Sequence, residues 1–228
     1  PSPALGIGTL RPRFDALVGS TNASERGVVM SGLRIICRAA LSGAITWDSG
    51  MVAADRATGV HYGTIGAPAA SPLAAGQAYT WTAQWQSADG RLSPVSPPAH
   101  FDVALLNESD WRGMRWLGAG HREFRAALDL SGVPTGFQAR AHVSSPGGAV
   151  LLVTGVLAGR DAVGMSAWLD FTASVPCSTL DIGPLLRPGE TNELLLQAGC
   201  GYWCPSPVPT DQHSGRVIYT AAGAQPLA

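Results

Sequence analysis

Glycine and proline recur every few residues along almost the whole chain. The 228 residues include 28 glycines and 17 prolines, and both residue types weaken or break helices while favouring turns. Helices of ordinary length therefore have little room. The hydrophobic fraction of 46% is nevertheless enough to build cores. The sequence predicts a folded, all-β protein of one large or two small domains.

Strand-like runs separated by turns begin at residue 28. In "AYTWTAQWQS" (78–87) aromatic and apolar side chains alternate with threonine and glutamine, which is typical of a strand with one buried face. The Asp-Gly pair at 89–90 then favours a hairpin. Turn signals at intervals of roughly 8–12 residues predict an immunoglobulin-like or fibronectin III-like sandwich over residues 1–105. We expect its core to contain Trp47, Trp81 and Trp85.

A second antiparallel sandwich is predicted over residues 106–228. Its connections, such as "SGVPTG" and "SSPGG", are rich in turn-forming residues. At this size a jelly roll is the natural candidate. The strand-like runs lie at 123–130, 137–144, 149–154, 178–182 and 193–198.

Charge and motifs exclude several classes of function. The formal net charge is −1, and all 15 basic residues are arginines without a cluster, whereas a nucleic-acid site needs a concentrated basic patch. No apolar run approaches the roughly 20 residues of a membrane span. The chain also lacks a phosphate-binding glycine loop and a glycine-flanked nucleophilic serine. Asn22 and Asn107 both lie in N-glycosylation sequons, which favours a secreted or cell-surface protein.

The four cysteines allow three disulfide pairings. Cys200 and Cys204 form the candidate pair, because "CGYWC" lies in a glycine- and proline-rich stretch that a short bridge could staple. A metal site joining them to His213 would lack a fourth ligand, so no metal is predicted. Cys37 lies in an apolar run and is interpreted as a small buried hydrophobe.

An ordered series of motifs resembles the N-terminal region of bacterial-type α-L-rhamnosidases. It begins with "WDSGMV" (47–52), continues through "AYTWTAQWQSADGRLSPVS" (78–96) and reaches "DWRGMRWLG" (110–118). Further on, "REFRAALDL" and "LDIGPLLRPGETN" are similar to strands and turns of the same family. The resemblance covers roughly residues 10–205.

The resemblance implies a fibronectin- or immunoglobulin-like domain followed by a jelly roll of the carbohydrate-binding kind. It also implies that hydrolysis is performed by a separate (α/α)₆ barrel, to which nothing here corresponds. Glycoside hydrolysis ordinarily needs two facing carboxylates, and the 16 acidic residues form no such pair in the sequence. The chain is therefore predicted to be non-catalytic.

Some positions depart from the family pattern. Thr154-Gly155 stands where the family often has Asn-Gly near a ligand or calcium site. A threonine offers fewer polar groups than an asparagine, so no cofactor is predicted and calcium is doubtful. Arg13-Phe14-Asp15-Ala16 lacks an aromatic residue of the family motif, and the chain after residue 205 is expected to be truncated or diverged.

Aromatic residues in loops at the ends of a sandwich are the preferred sugar contacts, because rings stack on the apolar faces of pyranoses. Trp111 and Trp116 are five positions apart and would point to opposite faces of a strand. We interpret them as packing at the domain junction, with ligand contact as the alternative. The carbohydrate-binding candidates are Trp168, Tyr202 and Trp203, with Asp170 and Arg160 as hydrogen-bonding groups.

These observations lead to a non-catalytic carbohydrate-binding or accessory module, whose partner is a glycan or glycoprotein. A structural or adhesion component of an extracellular assembly that has lost sugar binding is the first alternative. A fragment of an intact α-L-rhamnosidase without its barrel is the second.

Overall fold

The computed structural model describes residues 3–19, 27–66, 69–111, 113–114, 117, 123–145, 148–161, 177–198 and 216–221, with only the backbone for 160–161 and 216–221. In these residues the regular structure is strand apart from short 3₁₀ turns, and the predicted all-β class is confirmed. The chain divides into two compact units, Pro1–Leu106 and Asn107–Ala228. In the described ranges no helix is long and apolar enough to cross a bilayer.

The first unit consists of one large and one small sheet. The large sheet has the order β1-β8-β7-β3-β4, with β5 added by pairing to β3, and β2 pairs separately with β6. β1 runs parallel to β8, whereas the other pairs are antiparallel. The strands are β1 (Ala4–Ile7), β2 (Arg13–Phe14), β3 (Met30–Ala39), β4 (Ile45–Asp48), β5 (Val52–Ala53), β6 (Val60–His61), β7 (Ala78–Ser87) and β8 (Ala99–Val103).

The core of the first unit follows from alternation along β3 and β7. Leu33, Ile35 and Cys37 are each no more than 1% exposed, while the residues between them are half-buried or exposed. Burial raises the pKa of the Cys37 thiol to about 11, as expected for a structural cysteine. Aromatic rings complete the cluster around Phe14, whose ring centroid lies 4.8 Å from that of Trp81. The core positions predicted for the tryptophans are confirmed: Trp47 is buried, and Trp81 and Trp85 pack against the cluster.

The "WDSG" motif is a structural turn of this unit. The buried Ser49 side chain accepts a hydrogen bond from the Ile35 N–H at 2.9 Å, and the Ser49 N–H donates to the Ile35 carbonyl at 3.0 Å. Gly50 adopts a φ of 63°, which glycine tolerates without steric cost. Arg34 donates two hydrogen bonds to the Asp48 carboxylate, at 2.9 and 2.6 Å.

The described residues of the second unit form two sheets, with the orders β13-β10-β15 and β12-β11-β14-β9. All of their pairs are antiparallel. Short 3₁₀ turns lie at Glu108–Trp111 and Gly183–Leu185. The strands are β9 (Glu123–Asp129), β10 (Ala139–Ser144), β11 (Ala149–Val153), β12 (Val156–Asp161), β13 (Cys177–Asp181), β14 (Thr191–Ala198) and β15 (Arg216–Ala221).

The two sheets of the second unit enclose its core. β10, β11 and β14 turn alternate apolar residues inward, as their period-two pattern requires. Between β12 and β13 the sheets approach closely, since a Cβ on Gly159 would lie 2.5 Å from Leu180 Cδ2. Residues buried in this core include Leu128, Ala141, Val143, Leu151, Val153, Ile182, Leu194 and Leu196.

Strands β12 and β15 were absent from the runs recognised in the sequence. Because the chain after residue 205 is expected to be truncated or diverged, the sequence predicts no strand there. The structure nevertheless contains β15, which pairs with β10 over the full length of β10. Its "RVIYTA" segment is short and isolated between residues of no regular pattern. Partners more than 70 residues away stabilise it, and sequence periodicity does not report such partners.

The turn between β11 and β12 contains Thr154 and Gly155, with φ values of 48° and 79°. Two successive positive values are typical of a type I′ hairpin, which favours Asn-Gly. Among the described residues, Thr154 is the non-glycine residue with positive φ, a conformation that is costly for a β-branched side chain.

Replacing Thr154 by asparagine should relieve this strain and stabilise the second unit by about 1 kcal/mol. The expected result is a rise of a few degrees in one transition of a calorimetric unfolding scan. Thr191→Asn is the matched control, because Thr191 is exposed and lies in a strand. Equal midpoints for wild type and Thr154→Asn would contradict the assignment of strain to this turn.

The Arg34–Asp48 pair should make the first unit sensitive to acid. Hydrogen bonds from Arg34 hold the pKa of Asp48 below its ordinary value of 3.8. Because the folded-state pKa is depressed, the stabilisation is present above the unfolded-state value and is lost as the pH falls through the folded-state pKa.

Asp48→Asn should therefore destabilise the unit by about 1 kcal/mol at neutral pH, a value suited to a partly exposed pair. The difference from wild type should shrink as the pH falls through the depressed folded-state pKa of Asp48, as measured by urea unfolding at several pH values. Asp55→Asn is the matched control, because it removes an exposed carboxylate that has no ion pair within the described part of the chain. A wild-type minus Asp48→Asn difference that stays constant with pH would refute the prediction.

Candidate functional site

Most of the sugar contacts predicted from the sequence lie outside the described residues: Trp168, Asp170, Tyr202 and Trp203. The same is true of Asn22, Trp116, Cys200, Cys204 and His213. Arg160 lies in β12, at the register position opposite Val150 of β11. Arg160 is therefore the one predicted sugar contact within the described part of the second unit, and it lies in the edge strand of the four-stranded sheet.

The outward side of β9, β11 and β14 combines apolar and charged residues, and we call it the second-unit face. It comprises Arg125, Val150, Leu152, Glu193, Leu195 and Gln197, whose side chains alternate with those of the core. Pairing places Leu152 beside Leu195 and Val150 beside Gln197. Val150, Leu152 and Leu195 are half-buried and form an apolar strip.

Charged and amide groups border this strip. Arg125 of β9 donates a hydrogen bond at 2.9 Å to Glu193 of β14, and its guanidinium lies 4.0 Å from the Glu123 carboxylate. The Gln197 amide donates to Glu123 at 2.8 Å. Arg125 and Glu193 keep 58% and 53% of their side-chain surface exposed. The border thus presents hydrogen-bond donors and acceptors to solvent next to an apolar surface.

Asn192 supplies the amide group beside Thr154. Asn192 is fully buried, and its amide accepts from the Arg187 N–H at 2.8 Å and donates to the Arg187 and Glu190 carbonyls at 3.0 and 3.1 Å. Thr154 Oγ1 lies 3.5 Å from Asn192 Oδ1. These hydrogen bonds commit the Asn192 amide to holding the 187–190 loop. Within the described ranges no group of His, Cys, Asp and Glu side chains could hold a metal ion.

Trp111 packs within its own unit. Its ring lies edge-on to that of His142, with centroids 6.5 Å apart, and His142 Nδ1 is 3.0 Å from Thr179 Oγ1. The predicted place of Trp111 at a domain junction stays a prediction. Asn107 is exposed at the start of the adjoining 3₁₀ turn.

Sequence reasoning did not identify the second-unit face. Alternation along β9 and β14 could have placed Arg125 and Glu193 on the outward side. Their contact, however, joins residues 68 positions apart, and it depends on the pairing register of two strands that are not neighbours in sequence.

The comparisons with known proteins concern both units. The family described as "Rha78A-like, N-terminal immunoglobulin domain" matches residues 2–107. The α-L-rhamnosidase of Aspergillus terreus superposes with a TM-score of 0.71 at 18% identity, over 96% of this chain and 26% of that chain. That of Dictyoglumus thermophilum gives 0.66 at 17% identity, over 96% and 26%. No curated protein matches the chain significantly.

The chain thus spans about a quarter of the length of these rhamnosidases. At a sequence identity of 17–18%, the similarity shows only that the fold is shared. The order of motifs in the sequence predicted this relationship, and the family match over the first unit confirms it. Residues 2–107 thus match the family of Rha78A-like N-terminal immunoglobulin domains, and the chain as a whole shares the fold of about a quarter of each α-L-rhamnosidase.

Proposed function

We propose that this chain is a non-catalytic, carbohydrate-binding accessory module of an α-L-rhamnosidase. The observation that carries the proposal is the second-unit face, where an apolar strip lies beside exposed donors and acceptors. Pyranoses present apolar C–H faces edged by hydroxyl groups, so an apolar surface with a polar border matches their chemistry. The sugar contacts predicted from the sequence, Trp168, Asp170, Tyr202 and Trp203, lie outside the described residues and stay predictions.

The absence of catalysis is part of the same proposal. The family match is to an N-terminal domain, and the chain corresponds to about a quarter of each rhamnosidase. The hydrolytic residues of such an enzyme would then lie elsewhere in a longer protein. Binding by this module would raise the local substrate concentration at the catalytic domain without changing the chemical step.

A structural or adhesion role is the second candidate. The bonds that commit Asn192 to its own loop, together with Thr154 at the hairpin, favour it, because they leave no amide there for a sugar. A protein with this role would co-purify with a large assembly and give no glycan signal.

A glycan array of rhamnose-containing oligosaccharides should show saturable binding, and Arg125→Ala should weaken it about tenfold, the effect of losing a charge-assisted hydrogen bond. Trp203→Ala should weaken it to at least the same degree. Calcium chelation should leave the signal unchanged. The measurement is the apparent Kd of each variant on the strongest glycan.

Arg187→Ala is the matched control for Arg125→Ala. The Arg187 side chain is 62% exposed and lies 3.7 Å from the Glu190 carboxylate. The variant therefore also removes a surface arginine from a pair with glutamate. Binding that Arg125→Ala and Trp203→Ala leave unchanged would refute the site, and an array without signal would refute sugar binding.

We also propose that the protein is extracellular. Asn107 is exposed and its sequon "NES" begins a surface turn, a setting that glycosylation requires. Expression through a eukaryotic secretory pathway should add one glycan at Asn107, which the loss of mass after enzymatic deglycosylation would detect. Asn107→Gln should abolish that mass difference at this site. An unmodified Asn107 in secreted protein would contradict the prediction.

A further inference from the structure

A groove of about 840 Å³ lies on the first unit, within the size range of small-ligand sites. Its lining comes largely from β2, β5, β6 and the segment between β5 and β6, together with Leu33 of β3. β5 pairs with β3 only at Gly32 and Leu33, while β2 and β6 pair with each other in the separate small sheet. We call this depression the first-unit groove.

The floor of the first-unit groove is apolar. Leu33, which is 1% exposed, lies at its base. The surrounding floor residues are half-buried: Val52, Ala54, Val60 and Ile65. An apolar surface with this extent would favour a ligand that has C–H groups to bury.

The rim of the groove is polar and balanced in charge. Arg13 and Arg56 face the groove together with Asp15 and Asp55, and Thr58 and Thr64 add hydroxyl groups. The Gly59 N–H donates to Asp15 Oδ1 at 2.6 Å, and Arg13 donates to Asp15 Oδ2 at 3.0 Å. The Gly59 hydrogen bond lowers the pKa of Asp15. This carboxylate is therefore a charged acceptor held in a defined orientation.

Three further polar side chains line the groove. Among the described residues, Asp55, Arg56 and Thr58 have no side-chain hydrogen bond or ion pair and are exposed. They bring five guanidinium N–H donors, two carboxylate oxygens and a hydroxyl to the lining of the groove. Side chains of this kind can bind the neighbouring hydroxyl groups of a sugar without disturbing the protein.

We propose that the first-unit groove is a second saccharide site, which binds a neutral sugar independently of the second-unit face. This proposal rests on the carbohydrate-binding function proposed above. Equal numbers of arginine and aspartate on the rim disfavour a strongly charged ligand. An extended peptide is disfavoured because β5 and β6 each have two residues, too few for the addition of a strand.

An NMR titration of ¹⁵N-labelled protein with L-rhamnose and with a rhamnose-terminated disaccharide tests the proposal. The expected result is saturable shifts of the amides of Val52, Ala53 and Gly59. Arg56→Ala and Thr58→Val should each raise the Kd derived from these amides, by about tenfold for Arg56→Ala. Neither variant removes an observed bond, so thermal unfolding should match that of the wild type.

Arg11→Ala is the matched control, because Arg11 is an exposed arginine of the same unit that does not line the groove. It should leave the Kd unchanged. Inorganic phosphate serves as a charged probe. Phosphate shifts of the groove amides as large as those produced by the sugars would overturn the assignment to a neutral saccharide.

The titration also separates this inference from the proposed function. Shifts confined to the amides of Val150 and Leu195 would refute the first-unit site and support the second-unit face. Shifts confined to the groove would support the first-unit site alone. Sugar titrations that shift neither set would refute both.

Discussion

Every long strand of this chain must bury one side and leave the other in water, and the rest of the architecture depends on this constraint. Along β3 the odd-numbered residues from Leu33 to Cys37 are buried, whereas Arg34, Ile36 and Arg38 are half-buried or exposed. A single sheet cannot cover its own apolar side. Each unit therefore adds further elements over that side, and the outward sides become the surfaces available for recognition.

Side-chain hydrogen bonds hold the chain beside several strands, and two of the motifs that resemble rhamnosidase motifs contain such bonds. Ser49 and Asp48 of "WDSG" bond to Ile35 and Arg34 of β3, and Asn192 of "RPGETN" holds the loop before β14. A mutation in either motif would therefore affect strand pairing more directly than ligand binding. The motifs that resemble those of the family thus include residues with a structural role in this chain.

The two proposed binding surfaces arise in different ways. The second-unit face is the ordinary outward side of a regular sheet, and its polar border is formed by cross-strand pairs such as Arg125 with Glu193. The first-unit groove is instead lined by residues of the two-residue strands β2, β5 and β6 and of the segments beside them, together with the buried Leu33 of β3.

The sequence alone determined the all-β class, the burial of Trp47 and Cys37 and the relationship to rhamnosidases, because these properties depend on composition, alternation and the order of turns. It did not reveal the groove, the contact of Arg125 with Glu193 or the strand β15. Each of these depends on pairing between segments that are far apart in sequence. Only the tertiary structure selects such pairings, since the free energy that decides among registers comes from packing across sheets and not from local pattern.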